Sequence, residues 1–387
     1  MVVVGAGPAG STAALTLGKK GYKVLLIDKN KFPRDKPCGG WITPEVLKLL
    51  DWNYDELRKK ILLSPIRGLA VYSPSLENFA IKRKEILSYG ILRIEFDDII
   101  KNEAVDSGVT FYDETNFSKI EILSDEVKIL TNKGEFTSKI LIGADGTNSK
   151  VAKLTKIRES WKSSEKVLDL VSETKVPKNS IEKLYPDDLA YIFYNDKGGY
   201  NWIYPKICPE KEFAYVNIGI GCKLSEMKNS REMYFDHINT LKKLKLLSHD
   251  IKLNKHNAWP YATFFGPKKT YSERLLLIGD AAGFSSNIAG EGIRTAILSG
   301  ILAGETIAQV ADYSSKSLKL FQKKWKKVLK VEYNIGSTLQ SVLSKEKDSI
   351  DDLINRIRND EEGQNLLINL LLAKDLEQTF GKLMERI

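Results

Sequence analysis

The pattern of apolar and polar positions predicts that the chain begins with a strand, a helix and a second strand. Val2–Val4 is apolar without polar alternation, which is typical of a strand buried on both faces of a parallel sheet. An Ala- and Leu-rich helical pattern covers Ser11–Lys19, and a second apolar run covers Lys23–Ile27. Buried-type strands are also predicted at Lys139–Ile142 and Leu275–Ile278. Alternating strands and helices of this kind indicate an α/β fold with a parallel sheet.

The middle and the end of the chain have different patterns. Between residues 161 and 260, short strand-like pieces alternate with turns, which predicts an antiparallel sheet inserted between two halves of the first domain. Gly290–Ala311 carries a long helical pattern, and Ser317–Ile387 is predicted to be helical and strongly charged.

Composition excludes several classes of protein. The chain has 387 residues, of which 42% are hydrophobic, so it has enough apolar residues for a core and is not disordered. No apolar run approaches the roughly 20 residues that cross a bilayer, so an integral membrane protein is not expected. The low cysteine count fits a reducing compartment, and a cytoplasmic protein, in or out of peripheral contact with the membrane, is predicted. Three cysteines are too few for a disulfide scaffold, and three scattered histidines predict no metal site. The net charge of +9 fits ordinary solubility or attraction to an anionic surface.

The most informative segment is Gly5-Ala6-Gly7-Pro8-Ala9-Gly10, which spells G-x-G-x-x-G between the first strand and its helix. The first glycine permits a tight turn, Gly7 lets the backbone approach a pyrophosphate, and Gly10 lets the helix pack close to the strand. Asp28, 23 positions after Gly5, can accept hydrogen bonds from a ribose, with Lys29 beside it. These features predict a dinucleotide site, and the first turn alone fits NAD(P) and FAD equally.

Two later segments resemble the FAD signatures of the glutathione-reductase-like and hydroxylase-type flavoproteins. Arg274–Gly283 (RLLLIGDAAG) resembles the second signature, in which the Asp, here Asp280, binds the ribityl chain. Gly290-Glu291-Gly292-Ile293 then begins the next helix near the flavin pyrimidine. Ile142–Gly146 (IGADG) resembles the third signature. The resemblance implies that the cofactor is FAD, bound by a Rossmann-type domain.

Two further segments resemble the geranylgeranyl reductase family. Pro33–Gly40 (PRDKPCGG) is similar to its P-x-x-x-x-C-G-G loop, and Tyr200–Lys206 (YNWIYPK) is similar to its Y-x-W-x-F-P motif, with Gly219-Ile220-Gly221 as the trailing G-x-G. Tyr204 stands where the family usually has Phe. Members include archaeal enzymes that saturate the prenyl chains of membrane ether lipids.

The resemblance implies a set of site residues. The predicted FAD-binding residues are Gly5, Gly7, Pro8, Ala9, Gly10, Asp28, Lys29, Cys38, Gly39, Gly40, Arg93, Asp145, Gly146, Asp280, Gly290, Gly292 and Ile293. The predicted substrate-binding residues are Tyr200, Trp202, Tyr204 and Pro205.

Several of these assignments have plain alternatives. Strand alternation puts Tyr200, Trp202 and Tyr204 on one face. The three rings either form a wall that faces the substrate or the flavin, or pack in the core of the sheet. Cys38 is a candidate catalytic residue, as a proton donor or a modulator of the flavin, or else a small packing residue in a tight loop. Arg93 contacts FAD or is a solvent-exposed charge. Cys208 and Cys222 are predicted to be packing residues.

The resemblance implies an FAD-dependent oxidoreductase that saturates C=C bonds of geranylgeranyl chains in membrane lipids or prenyl diphosphates. The alternatives are a flavin monooxygenase or halogenase of the same fold, and a non-redox enzyme similar to lycopene cyclase. The halogenases' W-x-W-x-I-P segment is not seen. The predicted domains are 1–165 and 263–312 for the two parts of the FAD-binding domain, 166–262 for an antiparallel sheet substrate domain, and 313–387 for a helical region.

The sequence leaves alternatives for the electron donor and for contact with a membrane. The chain has no second G-x-G-x-x-G for NAD(P)H, so the electron donor is a ferredoxin or a transiently bound NAD(P)H. The lysines at 316, 319, 323, 324, 326, 327 and 330 form a solvated helix face or a peripheral contact with anionic lipid. No nucleic-acid-binding signature accompanies the basic residues, so no nucleic acid partner is expected.

Overall fold

The computed structural model describes residues 1–263, 269–343 and 349–386. The strands of this part of the chain are β1 (Val2–Val4), β2 (Leu25–Ile27), β3 (Trp41–Ile42), β4 (Leu63–Ile66), β5 (Gly68–Tyr72), β6 (Asn78–Lys82), β7 (Ser88–Ile91), β8 (Thr110–Tyr112), β9 (Phe117–Ile122), β10 (Val127–Thr131), β11 (Gly134–Ser138), β12 (Leu141–Gly143), β13 (Lys166–Pro177), β14 (Leu189–Tyr194), β15 (Tyr200–Lys206), β16 (Phe213–Lys223), β17 (Asn257–Ala262), β18 (Tyr271–Ser272) and β19 (Leu275–Leu277).

The helices of the same residues are α1 (Pro8–Gly18), α2 (Pro44–Leu49), α3 (Tyr54–Lys60), α4 (Arg93–Asp106), α5 (Lys150–Leu154), α6 (Ser230–Lys243), α7 (Ile293–Gln309), α8 (Ser315–Leu343), α9 (Ser349–Ile357), α10 (Glu361–Leu371) and α11 (Leu376–Met384). Short 3₁₀ turns occupy Ser163–Glu165, Lys178–Ser180 and Gly279–Ala281. The predicted C-terminal helices are therefore confirmed over the described residues.

The chain divides into two compact units. The first contains Met1–Asp35, Ile94–Lys162 and Tyr261–Tyr333. Its main sheet has the strand order β18-β19-β12-β1-β2-β8, in which only β18 runs antiparallel. A smaller antiparallel sheet, β11-β10-β9, belongs to the same unit. The predicted α/β fold with a parallel sheet of apolar strands is confirmed.

Helices α1 and α7 approach each other closely in the first unit because α7 presents glycines to α1. A Cβ on Gly300 would lie 2.5 Å from the carbonyl oxygen of Ala9, and one on Gly304 would lie 2.7 Å from Cγ2 of Thr16. Larger side chains at these two positions would push the helices apart. The two glycines therefore let α1 pack closely along α7, with Ala9 at the beginning of α1 facing Gly300 in the middle of α7.

The second unit contains Lys36–Arg93, Ser163–Pro260 and Asn334–Ile387. Its large sheet has the order β17-β13-β16-β15-β14-β5-β6, and a three-stranded sheet has the order β3-β7-β4. Helix α6 packs on one face of the large sheet, where residues such as Ile203, Ile218, Tyr234 and Leu241 form an apolar core. The expected antiparallel pairing is present between β13 and β16, β16 and β15, β15 and β14, and β5 and β6, whereas β14 and β5 run parallel.

These units differ from the predicted domain boundaries. Residues 36–93, predicted to lie in the FAD-binding domain, belong to the second unit because β5 and β6 extend the large sheet. Residues 313–387, predicted as one helical region, divide at Tyr333 between the two units. Pairing between strands that are distant in sequence leaves no signal in the local pattern.

Candidate active site

The turn after β1 depends on two glycines that the sequence analysis singled out. Gly5 has a φ of +103°, and a Cβ there would lie 2.7 Å from the carbonyl carbon of Ala144. A Cβ on Gly10 would collide with the carbonyl oxygen of Gly5 and lie 3.1 Å from Cβ of Ala144. Helix α1 can therefore begin against β1 and the loop after β12 only when both positions are glycine.

The N-terminus of α1 is open to a ligand. Gly7 is the N-cap residue and no side chain caps this end, which Pro8 begins. A Cβ on Gly7 would meet, within 4 Å, only the Arg34 Nη2 atom, at 3.5 Å. The turn thus offers backbone N–H groups, including that of Ala9, and a partial positive charge to an anion, as a pyrophosphate requires. Arg34, which the sequence analysis did not select, brings its guanidinium to this turn, where its Nη1 is paired with the buried carboxylate of Asp97 at 2.8 Å.

The carboxylate of Asp28 braces the same turn. Its Oδ2 accepts a hydrogen bond from the backbone N–H of Ala6 at 2.8 Å, and its Oδ1 accepts one from Asn30 at 2.9 Å. Asp28 is buried, whereas Lys29 is exposed. Each carboxylate oxygen keeps a second lone pair, so the predicted bond to a ribose remains a prediction that fits the geometry.

The loop after β12 is held by Asp145. Its carboxylate accepts hydrogen bonds from Ser149 Oγ at 2.5 Å and from the backbone N–H groups of Lys150 and Val151 at 2.7 and 3.0 Å. Burial raises the pKa of this carboxyl, and these hydrogen bonds oppose that rise. Gly146 follows with a φ of +80° and open space where a Cβ would be. Asp145 therefore shapes the loop, and Gly146 leaves it accessible.

Asp280 lies just after β19, next to the beginning of α7. Its Oδ1 accepts a hydrogen bond from Ser285 Oγ at 3.1 Å, and a Cβ on Gly292 would lie 3.5 Å from that same oxygen. Gly290 has a φ of +65°, and Ile293 begins α7 with no side chain capping the helix. Glycine at position 292 therefore lets the loop before α7 pass close to the carboxylate.

The FAD residues predicted in the first unit meet at one edge of its sheet. Strands β1, β12 and β19 are neighbours and parallel, so the segments that follow their carboxyl ends lie together. This edge is where nucleotides bind in open α/β sheets. The glycine cradle and the two uncapped helix ends fit a dinucleotide such as FAD.

An aromatic residue that the sequence analysis did not select lies against the Asp280 loop. A Cβ on Gly283 would lie 2.5 Å from Cη2 of Trp161. The Arg158 guanidinium covers the Trp161 ring at 3.8 Å and donates a hydrogen bond to the carbonyl oxygen of Ala281 at 2.5 Å. No local motif marks these residues, because they reach the loop only through the fold.

The predicted aromatic row is present on β15. The rings of Tyr200 and Trp202 are 5.8 Å apart, and those of Trp202 and Tyr204 are 5.9 Å apart and stacked. These side chains alternate with Ile203, which belongs to the core beneath α6, so the row occupies the opposite face of the sheet. Pro205 alternates with the row, and its predicted contact with the substrate stays a prediction.

The glycines of the Gly219-Ile220-Gly221 segment leave space for the side chains on the face of the aromatic row. Gly219 pairs with Trp202, and a Cβ there would lie 2.5 Å from Cε2 of the indole. Gly221 pairs with both Tyr200 and Asp169, and a Cβ there would collide with the Asp169 carboxylate. Burial raises the pKa of Asp169 to about 8, with Lys36 acting in the opposite direction. Asp169 is an ionisable group of the face that the sequence analysis missed.

The cysteines and Arg93 differ in their surroundings. Cys38 is partly exposed, so it is not a fully buried packing residue. Cys208 and Cys222 are buried in apolar clusters, as predicted for packing residues. Arg93 is 5% exposed, so the alternative of a solvent-exposed charge is wrong. The roles of Cys38 and Arg93 at a cofactor stay predictions.

His237 supports β15 from the core face, and its burial predicts a loss of stability in acid. Its Nε2 is 3.2 Å from the carbonyl oxygen of Trp202, and burial lowers its pKa to about 4. The unfolded chain takes up the proton near the ordinary value of about 6.5, so folding stability falls as the pH drops from 6.5 to 4. This residue alone removes about 2 kcal/mol between pH 7 and pH 5.

Urea unfolding at pH 5, 6 and 7 measures this effect. The variant H237Q is expected to lose less stability in acid than the wild type, whereas H249Q, which changes an exposed histidine, keeps the wild-type dependence. An unchanged pH dependence in H237Q contradicts the prediction.

Comparisons with known proteins agree with this geometry. A family model described as an FAD binding domain matches residues 1–322. The digeranylgeranylglycerophospholipid reductase of Methanocaldococcus jannaschii is 29% identical over 336 residues, which are 84% of this chain and 82% of that protein. The predicted resemblance to geranylgeranyl reductases is thus confirmed as a sequence similarity.

Solved structures show the same fold. A geranylgeranyl bacteriochlorophyll reductase-like protein from Thermoplasma acidophilum has a TM-score of 0.81 at 21% identity and covers 100% of this chain and 98% of its own. A flavin-dependent brominase has a TM-score of 0.75 at 21% identity and covers 99% of this chain and 97% of its own. No helix among the described residues is long and apolar enough to cross a membrane. The chain belongs to the FAD-binding-domain family of flavoproteins, with FAD as its cofactor.

Proposed function

We propose that this protein saturates C=C bonds of geranylgeranyl chains, carried by a membrane phospholipid or a prenyl diphosphate. The observation that carries the proposal is the row of three aromatic rings in contact on β15, with the Cys38–Gly40 loop lying directly on it. A Cβ on Gly39 would be 3.0 Å from Cε2 of Tyr204 and 3.5 Å from Nε1 of Trp202. The sequence similarity to an enzyme named digeranylgeranylglycerophospholipid reductase supports the same substrate class.

The chemistry divides between the cofactor and this chain. Reduced FAD supplies the hydride that saturation of an unactivated double bond needs, because no side chain stores two electrons. An isoprenoid has no polar group near the reacting bond, so its binding requires apolar surface. Tyr200 is the partly exposed ring of the row, and Trp202 and Tyr204, each 3% exposed, pack behind it beneath the Cys38–Gly40 loop. The packing of Trp202 against both tyrosine rings fixes the surface along which the isoprenoid chain would be oriented.

Saturation also consumes a proton, and this face carries candidate donors. Asp169 pairs in register with Gly221, which pairs with Tyr200, so its carboxyl lies beside the row. With a pKa of about 8, it is protonated at neutral pH. The Cys38 thiol is the second candidate, because Cys38 is partly exposed and belongs to the loop on the rings.

Anaerobic incubation of the chemically reduced holoprotein with a digeranylgeranyl phospholipid tests the proposal. A mass spectrum of the lipid should show stepwise gain of hydrogen pairs, one pair for each double bond reduced. The oxidised holoprotein is the control and should leave the mass unchanged. We propose reduced ferredoxin and NAD(P)H as alternative electron donors, and the rate of flavin reduction by each compares them.

An unchanged lipid mass, with the flavin bound and reducible, would falsify this substrate assignment. Oxygen consumption that depends on an added organic substrate would instead favour a monooxygenase or halogenase. A product with altered structure and unchanged mass would favour an isomerase. The same incubation with geranylgeranyl diphosphate in place of the phospholipid shows which of the two headgroups, diphosphate or phospholipid, the enzyme accepts.

A further inference from the structure

A chain of polar side chains, of which Glu173 is partly exposed, crosses three neighbouring strands on the face of the aromatic row. Glu173 of β13 pairs in register with Asn217 of β16, which pairs with Tyr204 of β15. Lys206, two residues further along β15, lies on the same face because side chains alternate. The side chains of Asn217 and Lys206 are fully buried.

The Asn217 amide joins the aromatic row to the loop. Its Oδ1 accepts a hydrogen bond from Trp202 Nε1 at 2.7 Å. Its Nδ2 donates to the carbonyl oxygen of Cys38 at 2.9 Å and to Glu173 Oε2 at 3.0 Å. An indole N–H only donates, so the amide has one consistent orientation, in which all three bonds are made.

Lys206 holds the other end of the same loop. Its Nζ donates hydrogen bonds to Glu173 Oε2 at 2.6 Å and to the carbonyl oxygen of Ile91 at 2.8 Å. The backbone N–H of Ile91 in turn donates to the carbonyl oxygen of Gly40 at 2.7 Å. A Cβ on Gly40 would lie 2.6 Å from Lys206 Nζ, so the loop passes directly over the ammonium group.

Stability alone does not account for this arrangement. Removing an ammonium group and a carboxylate from water is unfavourable, and apolar side chains of similar volume fill such a space at less cost. The hydrogen bonds of the network converge on the Cys38–Gly40 loop, on its neighbour Ile91 and on the Trp202 ring. Asn217 makes three hydrogen bonds and Lys206 makes two, and a buried side chain held by several such bonds favours one conformation of the groups that it joins.

We infer that Glu173, Asn217 and Lys206 are positioning residues that hold the Cys38–Gly40 loop on the aromatic row and so limit access to the Cys38 thiol. The consequence for lipid reduction rests on the proposed function. The positioning itself does not, because it is measured on the thiol.

The test is the rate at which iodoacetamide alkylates each cysteine of the FAD-loaded protein, followed by site-resolved mass spectrometry. N217A is expected to raise the Cys38 rate at least about fivefold, because loss of a buried hydrogen-bonding partner releases the loop. Cys208 and Cys222 are buried and should keep their rates, which shows that the protein has not unfolded globally.

The matched control is N201A. Asn201 lies on β15 but on the other face, where its Oδ1 accepts a hydrogen bond from Asn195 Nδ2 at 3.1 Å. Its removal should leave the Cys38 rate unchanged. Equal Cys38 rates in the wild type and folded N217A overturn the inference.

A second variant keeps the test decisive if N217A does not fold. E173Q retains an oxygen that accepts from both Asn217 and Lys206 but removes the charge, so a rise of about twofold in the Cys38 rate is expected. An unchanged rate in E173Q then overturns the inference. Faster alkylation in the variants, together with no lipid reduction by the wild type, upholds the positioning role and refutes the proposed function.

Discussion

The substitution G10A is expected to lower the affinity for FAD at least about a thousandfold, which corresponds to about 4 kcal/mol. The added methyl group would collide with the carbonyl oxygen of Gly5 and press on Cβ of Ala144. Both neighbours belong to loops at the sheet edge where the cofactor residues meet, so the space cannot be regained by rotating a flexible side chain. The beginning of α1 must shift, and its N–H groups then leave the pyrophosphate.

Titration of the flavin-free protein with FAD, followed by the change in flavin fluorescence, measures this effect. The matched control is G381A, which also adds a methyl group to a glycine within a helix, α11. A Cβ on Gly381 would have no atom within 4 Å, so we expect the wild-type affinity and equal or slightly higher stability. Wild-type affinity in G10A would show that the cofactor does not depend on this turn.

The substitution W202L is expected to reduce prenyl-lipid reduction at least a hundredfold while FAD stays bound and reducible. The indole lies between the rings of Tyr200 and Tyr204 and donates a hydrogen bond to Asn217. Leucine removes the central ring of the row and leaves the Asn217 carbonyl without that donor. Displacement of a bound substrate by about 1 Å already reduces a rate about a hundredfold.

The control for W202L is F193L, which removes a buried aromatic ring from the other face of the same sheet. Phe193 stacks on Tyr72 at 4.3 Å within the core beneath α6. Both variants lose an aromatic ring and are expected to be destabilised by a comparable amount, a few kcal/mol. Only W202L should lose turnover when both are assayed folded and loaded with FAD. Equal losses of turnover would mean that the effect of W202L is one of stability.

Two parts of the site were predictable from local sequence. The turn at Gly5 and Gly10 follows from steric rules that act within a few residues, and a strand–glycine turn–helix order has few other uses. The aromatic row follows from strand alternation, which places positions 200, 202 and 204 on one face whatever the strand pairs with. The identity of the cofactor came from the resemblance of two later segments, Ile142–Gly146 and Arg274–Gly283, to FAD signatures of known flavoproteins.

Other assignments needed the fold. Asp145 was expected to contact FAD, and its carboxylate braces its own loop and the beginning of α5. Arg93 is buried, although nothing in its neighbouring residues distinguishes it from a surface charge. Residues 36–93 join the second unit through the pairing of β5 with β14, strands separated by more than a hundred positions.

The sequence by itself determined the parallel-sheet domain, the glycine turn and the aromatic face, because each depends on contacts or periodicity within one short segment. The tertiary structure alone decided that Asn217 holds the carbonyl of Cys38, 179 positions earlier, and that Lys206 is buried beside Glu173. The physical reason is that a polar side chain is buried only when its partners arrive from other strands. Those partners are chosen by the pairing of the sheet, and a local pattern does not record that pairing.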